Sequence, residues 1–443
     1  MKRIIKKILN VKGIKIIDMK TVNKVRKNGL ITETLQISVK LTKGQQSRCP
    51  VCGKKCPQYD TVTTNRRWRH LDFGALHTEI VCDTHRIECP EHGIHVQRIP
   101  WARHNSGFTE EFEKQTAYVA TNGTKKFASQ LMDIDWNSVG KILSRVRDDL
   151  EPDLSSRFDG VTSIGIDETS YKKGHKYITT VVDHDKNQVI WIGTGHSYDT
   201  LKQFMELLSE EQRKAIKLVS GDGASWIKKC VEEYLPNAKF CIDRYHATSW
   251  CIDALDEVRK MIAREERKSR KENKRGRGRP KKEESTKEKT FNEDKKAIKG
   301  AKYALGKNPE NLTEHQAKIL NQIKNEDRRL YRAYQLKEGL RAVFTASEEN
   351  VEIELKAWLS WACRSKIKPM VELSRKIRRK KEDIINTVKY GISNARIEAM
   401  NNHIKNLIKK SYGFRNLQNM FDLIYIVCSS KLKEKIKPAY MLR

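Results

Sequence analysis

The chain has 443 residues, too many for one core of ordinary size, so two to four folding units are expected. Its 88 lysines and arginines outnumber 56 aspartates and glutamates, for a formal charge of +32 that attracts a polyanion over long range and resists compaction unless a partner neutralises it. No stretch approaches the roughly 20 apolar residues needed to span a bilayer, so a membrane role is disfavoured and nucleic acid is the expected partner.

The opening Met1-Lys2-Arg3-Ile4-Ile5-Lys6-Lys7 lacks the apolar run and small-residue cleavage site of a secretory leader, and reads as mature cytoplasmic protein. Residues 14–22 and 30–41 carry β-branched side chains in rough alternation and predict a small sheet. Ten cysteines are too sparse for a disulfide scaffold, but five fall between Cys49 and Cys89, which points to metal in a reducing compartment. Cys49-Pro50-Val51-Cys52-Gly53 is half of a tetrahedral zinc site. Cys89-Pro90-Glu91-His92-Gly93 repeats the knuckle with an imidazole in place of the last sulfur, so Cys49, Cys52, Cys89 and His92 are the predicted Zn²⁺ ligands. Cys56, Cys82, His85 and His95 compete for the fourth position. Between the knuckles Arg66, Arg67, Arg69, His70 and Arg86 form a basic surface. The predicted β/zinc-binding module spans 1–104.

From 105 to 155 the pattern turns helical, and residues 124–131, Asp133-Ile134-Asp135 and 136–146 read as a helix-turn-helix. Phe127, Ala128, Leu131, Val139, Ile142 and Leu143 are its expected core. The second helix would present Asn137, Ser138, Lys141, Ser144 and Arg145 to phosphates and base edges.

Residues 161–242 alternate as βββαβαβ, the order of the ribonuclease-H-like fold. Asp167, in Ile164-Gly165-Ile166-Asp167-Glu168, would end the central first strand. Asp222, in Val219-Ser220-Gly221-Asp222-Gly223, would leave the neighbouring fourth strand. Two carboxylates so close need cations, and paired Mg²⁺ (or Mn²⁺) ions roughly 3.5–4 Å apart would neutralise them and activate an attacking oxygen. Glu168 rivals Asp167, but adjacent strand positions point to opposite faces, so one of them is expected to contribute. In Asp243-Arg244-Tyr245-His246, His246 would bond the scissile phosphate or orient a ligand; alternatively Asp243 caps a helix and Tyr245 packs.

A third carboxylate is expected on a later helix. In residues 394–405 and beyond, Ile397, Met400, Ile404, Leu407 and Ile408 make one apolar face, and Glu398, Asn402, Lys405 and Lys409 lie opposite. Asp167, Asp222 and Glu398 are therefore the predicted catalytic, magnesium-binding triad, with Asn402, Lys405 and Lys409 on DNA. The core would comprise 158–260 and 386–430, with a helical insertion at 261–385. Residues 269–282 are too charged for a core and read as a disordered arm. There Arg277 and Arg279, in Arg275-Gly276-Arg277-Gly278-Arg279-Pro280, resemble an AT-hook or a nonspecific phosphate-binding tail. Trp358 and Trp361 read as core, and the basic run 375–381 as DNA-lining or solvated.

The knuckles, the helix-turn-helix, the Ile-Asp-Glu strand, the Ser-Gly-Asp-Gly turn, the Asp-Arg-Tyr-His segment, and Ser393-Asn394-Ala395-Arg396-Ile397-Glu398-Ala399 with Tyr412-Gly413-Phe414-Arg415 resemble, in order, bacterial insertion-sequence DDE transposases of the ISL-three (ISL3) family. His92 stands where relatives often carry cysteine. The resemblance implies metal-dependent cleavage and strand transfer at the inverted repeats of double-stranded transposon ends and at target DNA. Pairing two ends calls for a homo-oligomer, at least a dimer. The competing readings are another nuclease or resolvase of the same fold, and a zinc-dependent DNA-binding regulator without catalysis.

Overall fold

The computed structural model describes residues 2–25, 29, 31–61, 63–272, 301–392, 395–438 and 441, with the side chains of 2–4, 8, 270–272 and 395–396 left aside. The chain divides into two compact units, Met1–Leu154 with Asn406–Arg443, and Ser155–Lys405.

In the first unit, helix α1 (Lys2–Leu9) precedes β1 (Ile14–Val25), β2 (Ile31–Leu41), β3 (Thr63–Phe73) and β4 (Leu76–Thr84). These four form one sheet in the order β1-β2-β4-β3. Leu9, Ile14, Ile37, Val39, Trp68, Ile80 and Trp101 pack its core, with Trp68 edge-on to Trp101 at 5.4 Å. The β3–β4 hairpin fills the stretch between the knuckles that sequence reading treats as a basic surface. His70 does not belong to that surface. It is buried on β3, its Nδ1 lies 2.9 Å from the Thr109 hydroxyl, and burial pushes its pKa down to about 4, so it is neutral. A two-stranded ribbon follows, β5 (Arg86–Cys89) with β6 (Gly93–Val96).

Helices α2 (Glu110–Asn122), α3 (Lys125–Met132) and α4 (Trp136–Leu150) start on side-chain caps from Thr109, Thr124 and Asp135. Ala128, Val139, Ile142 and Leu143 are fully buried as expected, but Phe127 and Leu131 are 52% and 57% exposed. The inward phase of α3 is set by Lys125, Ala128 and Met132, which rotates positions 127 and 131 outward.

Glu113, fully buried on α2, accepts from Arg103 (3.0 Å), Ser106 (2.7 Å) and Arg145 Nε (2.8 Å). Glu113→Ala would remove the buried anion shared by Arg103 and Arg145, leaving Arg103 with Asp149 as its carboxylate partner, and is expected to cost about 3 kcal/mol in urea unfolding of the full chain. A loss below about 1 kcal/mol would show that the anion does not hold these elements together.

The second unit begins with β7 (Ser163–Lys172), β8 (Lys176–Asp183) and β9 (Gln188–Thr194), then α5 (Tyr198–Leu207), α6 (Glu210–Ala215), β10 (Leu218–Gly221), α7 (Ser225–Tyr234) and β11 (Lys239–Ile242). The sheet runs β11-β10-β7-β8-β9, with β7–β8 and β8–β9 antiparallel and β7–β10 and β10–β11 parallel, so β7 is central. Ile164, Ile166, Val181, Leu201, Phe204, Val219 and Ile227 pack its core.

Helix α8 (Arg244–Glu272) leaves β11 directly, so the helical part starts at 244 rather than 261, and Ser269–Glu272, read as the start of the arm, are helical. Arg277 and Arg279 lie outside the described residues. Helices α9 (301–306), α10 (Glu314–Glu326), α11 (Arg328–Val343), α12 (Val351–Cys363), α13 (Lys368–Arg379) and α14 (Lys381–Lys389) complete this part around a core that includes Cys251, Leu255, Leu336, Leu340, Leu355 and Met370. Trp358 is buried and donates to the Leu336 carbonyl at 2.8 Å, whereas Trp361, expected in the core, is 40% exposed. Helix α14 returns the chain to the sheet, where Thr387 donates to the Ile242 carbonyl at 2.8 Å.

Helix α15 (Ala395–Lys410) is followed by α16 (Leu417–Val427) and α17 (Ser430–Lys435). The stretch after 405, expected with the core to 430, joins the first unit: α16 packs on α4, and its buried Asp422 accepts from Ser144 and Arg147.

Candidate metal and active sites

In the first unit one potential ligand atom from each of Cys49, Cys52, Cys89 and His92 lies within 4.8 Å of the others, the set chosen from the sequence. Cys52 and Cys89 sulfurs are 3.8 Å apart, and His92 Nδ1 is 3.5 Å from Cys89 and 3.9 Å from Cys49. A tetrahedral ion with Zn–S of about 2.3 Å requires sulfur–sulfur edges of about 3.8 Å, so the four fit zinc. Gly53 and Gly93 close the knuckles at φ +70° and +75°, a left-handed turn that a side chain would strain. The His92 imidazole also draws the Cys89 thiol down to about 6, toward the thiolate that binds metal. The competitors are otherwise engaged: His85 with the Ser47 hydroxyl at 3.0 Å, His95 with the His92 carbonyl at 2.6 Å, and Cys82 within the sheet core. Cys56 packs against Cys49 and Cys89 but donates to the Lys54 carbonyl.

On α4, Asn137 and Lys141 are exposed and Ser138 is half-buried, as a DNA-facing edge needs. Arg145 departs from expectation: it turns inward to Glu113, because a fully buried carboxylate demands a cation more strongly than solvent does. Ser144 is likewise taken up by Asp422.

In the second unit Asp167 lies within β7 rather than at its end, because the strand continues to Lys172. Its carboxylate accepts from the Glu168 backbone N–H at 2.6 Å and from the Asn401 amide. Burial raises its pKa; the Glu168 N–H and His246 oppose the rise, Asp222 adds to it, and Lys405 opposes it. Asp222 leaves β10 and accepts from the Ala224 N–H at 2.7 Å. Glu168 is pushed up to about 7 by burial and by the charges of Asp222 and Asp167, so both neighbouring acids, not one, feel Asp222. Helix α15 reaches this place because residue 165 is glycine: a Cβ there would stand 1.6 Å from Ile397 Cδ1.

Glu398 is exposed on α15 and lines a cleft of about 840 Å³ with Asp243, Arg244, Tyr245, Thr248 and Arg341. Among the described residues, no three of these carboxylates gather their oxygens as tightly as the cysteine set does. Asn402, Lys405 and Lys409 are exposed on the same helix. Asp243 accepts from the Tyr245 N–H at 2.9 Å, a helix-start cap, but Tyr245 is 64% exposed instead of packed. His246 sits 3.7 Å from Asp243 and acts electrostatically on Asp167, so Asp243 caps the helix while His246 faces the charge of the site.

Two cations of the basic run also reach this edge. Lys380 donates to the Gly223 carbonyl at 2.5 Å, and Lys376 lies 3.6 Å from the Trp250 ring centre. Both carry pKa values lowered mainly by burial, and both feel Asp222. Carboxylates and half-buried ammonium groups thus share this edge of the sheet.

Comparison with known proteins agrees with this layout. Residues 164–424 match a family model described as a transposase, residues 97–147 the helix-turn-helix domain of transposase family ISL3, and residues 45–92 the zinc-finger of transposase IS204/IS1001/IS1096/IS1165. The transposase for insertion sequence element IS1557 of Mycobacterium tuberculosis (strain CDC 1551 / Oshkosh) is 41% identical over 85% of this chain and 84% of its own length. The transposase for insertion sequence element IS1001 of Bordetella parapertussis is 24% identical over 88% and 90%. Among the described residues no helix is long and apolar enough to cross a membrane. The chain therefore belongs to the ISL3 family of insertion-sequence transposases, metal-dependent DDE enzymes that bind and cut DNA.

Proposed function

We propose that the second unit is a ribonuclease-H-like core interrupted by a helical insertion, and that Asp167, Asp222 and Glu398 hold Mg²⁺ or Mn²⁺ for cleavage and joining at the terminal inverted repeats of the element. The carrying observation is the sheet order β11-β10-β7-β8-β9, which sets Asp167 on the central strand and Asp222 on the turn out of its parallel neighbour. When bound, the divalent cations would neutralise phosphate charge and make the attacking water or 3′ hydroxyl easier to deprotonate.

Around them the chain orients and binds. Asn401 and the Glu168 N–H fix the Asp167 carboxylate, the Ala224 N–H fixes Asp222, and Lys376, Lys380 and Lys405 hold phosphates. A water oxygen bonds to phosphorus as the P–O3′ bond breaks and the 3′ oxygen takes a proton. The freed 3′ hydroxyl then attacks a target phosphodiester in the same way, expelling that strand's 3′ oxygen. The zinc ribbon and the Asn137–Lys141 edge read the repeats, and Arg277 and Arg279 add sequence-tolerant affinity. The enzyme works as at least a dimer on double-stranded DNA in the bacterial cytoplasm, on the nucleoid.

The test is incubation of the protein with labelled duplexes of the element's own ends and Mg²⁺. Nicks leaving 3′ hydroxyls, followed by joined products, support the reading. Tight binding without cutting would favour the non-catalytic regulator.

A further inference from the structure

We infer that Asn401 is a positioning residue for catalysis, whose amide locks Asp167 in its metal-binding orientation and fixes α15 on the central strand. This rests on the reading of Asp167 as a metal-binding carboxylate. Asn401 is 2% exposed, an unusual place for an amide unless its polar atoms are used. Its Nδ2 donates to Asp167 Oδ2. Its Oδ1 lies 3.4 Å from the Thr180 hydroxyl, which is also 3.2 Å from the Asp167 carbonyl and donates its one proton to either. Thr180 is fully buried on β8, directly opposite Asp167 in the strand register.

Strand β7, strand β8 and helix α15 thus meet in one polar cluster, in which Asn401 and Thr180 are buried and Asp167 is half-buried. Asn401 is one helical turn beyond Glu398, so the same amide that orients one carboxylate sets the register of the helix that carries another. With Oδ2 held by the amide and Oδ1 by the Glu168 N–H, the carboxylate plane has little freedom to rotate. A carboxylate whose rotation is already fixed binds cations without losing that freedom.

Asn401→Leu keeps the volume and removes the donor. It is expected to lower Mg²⁺-dependent cleavage of end duplexes by about 10–100-fold and to raise the Mg²⁺ concentration for half-maximal rate by a similar factor. Metal-free binding of the same duplex should stay at wild-type affinity. Thr180→Val should shift Mg²⁺ dependence in the same direction by less, and Thr180→Ser should restore it. Asn401→Ala serves the same purpose if the leucine variant does not fold.

Wild-type Mg²⁺ dependence in Asn401→Leu or Asn401→Ala, with Asp167→Asn inactive, would overturn the positioning role and leave the carboxylate assignment standing. A rate loss with unchanged Mg²⁺ dependence would also overturn it, by marking a packing defect. Full activity of Asp167→Asn would remove the carboxylate reading, and this inference with it.

Discussion

Asp222→Asn is expected to reduce single-turnover cleavage of an end duplex by about 10³-fold or more, with metal-free binding of that duplex unchanged. The asparagine keeps the oxygen that accepts from the Ala224 N–H, so the turn after β10 persists and only the charge is lost. Losing that charge would remove a proposed cation ligand and, by relieving repulsion, let Glu168 ionise more readily than at about 7. Glu398→Gln should fall nearly as far, and Glu168→Gln much less. The comparison is decisive because Glu168 is already in electrostatic contact with Asp167 and Asp222, whereas Glu398 is exposed on a helix facing the 840 Å³ cleft. Wild-type cleavage by Asp222→Asn would sink the assignment. An inactive Glu168→Gln beside an active Glu398→Gln would move the third carboxylate from α15 to β7.

Why Glu168 escapes a pattern argument is visible in the register. Alternation sends residues 167 and 168 to opposite faces, but it does not say where the neighbouring strand stops covering them. Strand β10 pairs with β7 only as far as Gly165, and the chain then turns away at Asp222. Past that point both acids stand at an open edge, where the charge of Asp222 reaches either. Asn401 was hidden for a related reason: helical periodicity ranks faces by apolarity, and a buried amide inside an apolar face carries no signal until its partners on β7 and β8 are known. The β-branched runs of β7 to β11 needed no such knowledge, since apolar runs of that length, punctuated by Gly-Asp-Gly, specify buried strands and a turn by themselves. By contrast, β3 is masked by Arg66, Arg67 and Arg69, whose charged heads hide the alternation that buries Trp68 and His70. Arg145 shows the limit on the DNA-facing side. Its position on α4 is outward by helical phase, and only the buried Glu113, far away in sequence, draws it back.

Removal of zinc is expected to weaken selective binding of the element's ends severely while sparing the four-stranded sheet. The buried side chains around the knuckles are Cys49, Cys56, Ile87 and Cys89, with Cys52 packed against them, so a single aliphatic residue stands in for a core. Such a cluster buries too little apolar surface to order itself, and structural zinc typically contributes about 10–16 kcal/mol of apparent binding free energy to small modules of this kind. The sheet has its own core from Leu9 to Trp101 and does not share this dependence. The purified wild-type chain should carry one zinc by elemental analysis. Cys89→Ser should lose the zinc and weaken binding to end duplexes by about 100-fold or more relative to unrelated duplexes, because sequence discrimination rests on base contacts rather than on charge. Cys56→Ser and Cys82→Ser should retain both metal and selectivity, since their sulfurs lie outside the four-ligand set. His92→Cys should also retain zinc, because a thiolate satisfies the same corner of the tetrahedron. A wild-type chain without zinc, or a Cys89→Ser variant that keeps zinc and selectivity, would disprove the metal staple. Loss of zinc with selectivity intact would instead transfer recognition of the ends to the exposed edge of α4, where Asn137 and Lys141 stand.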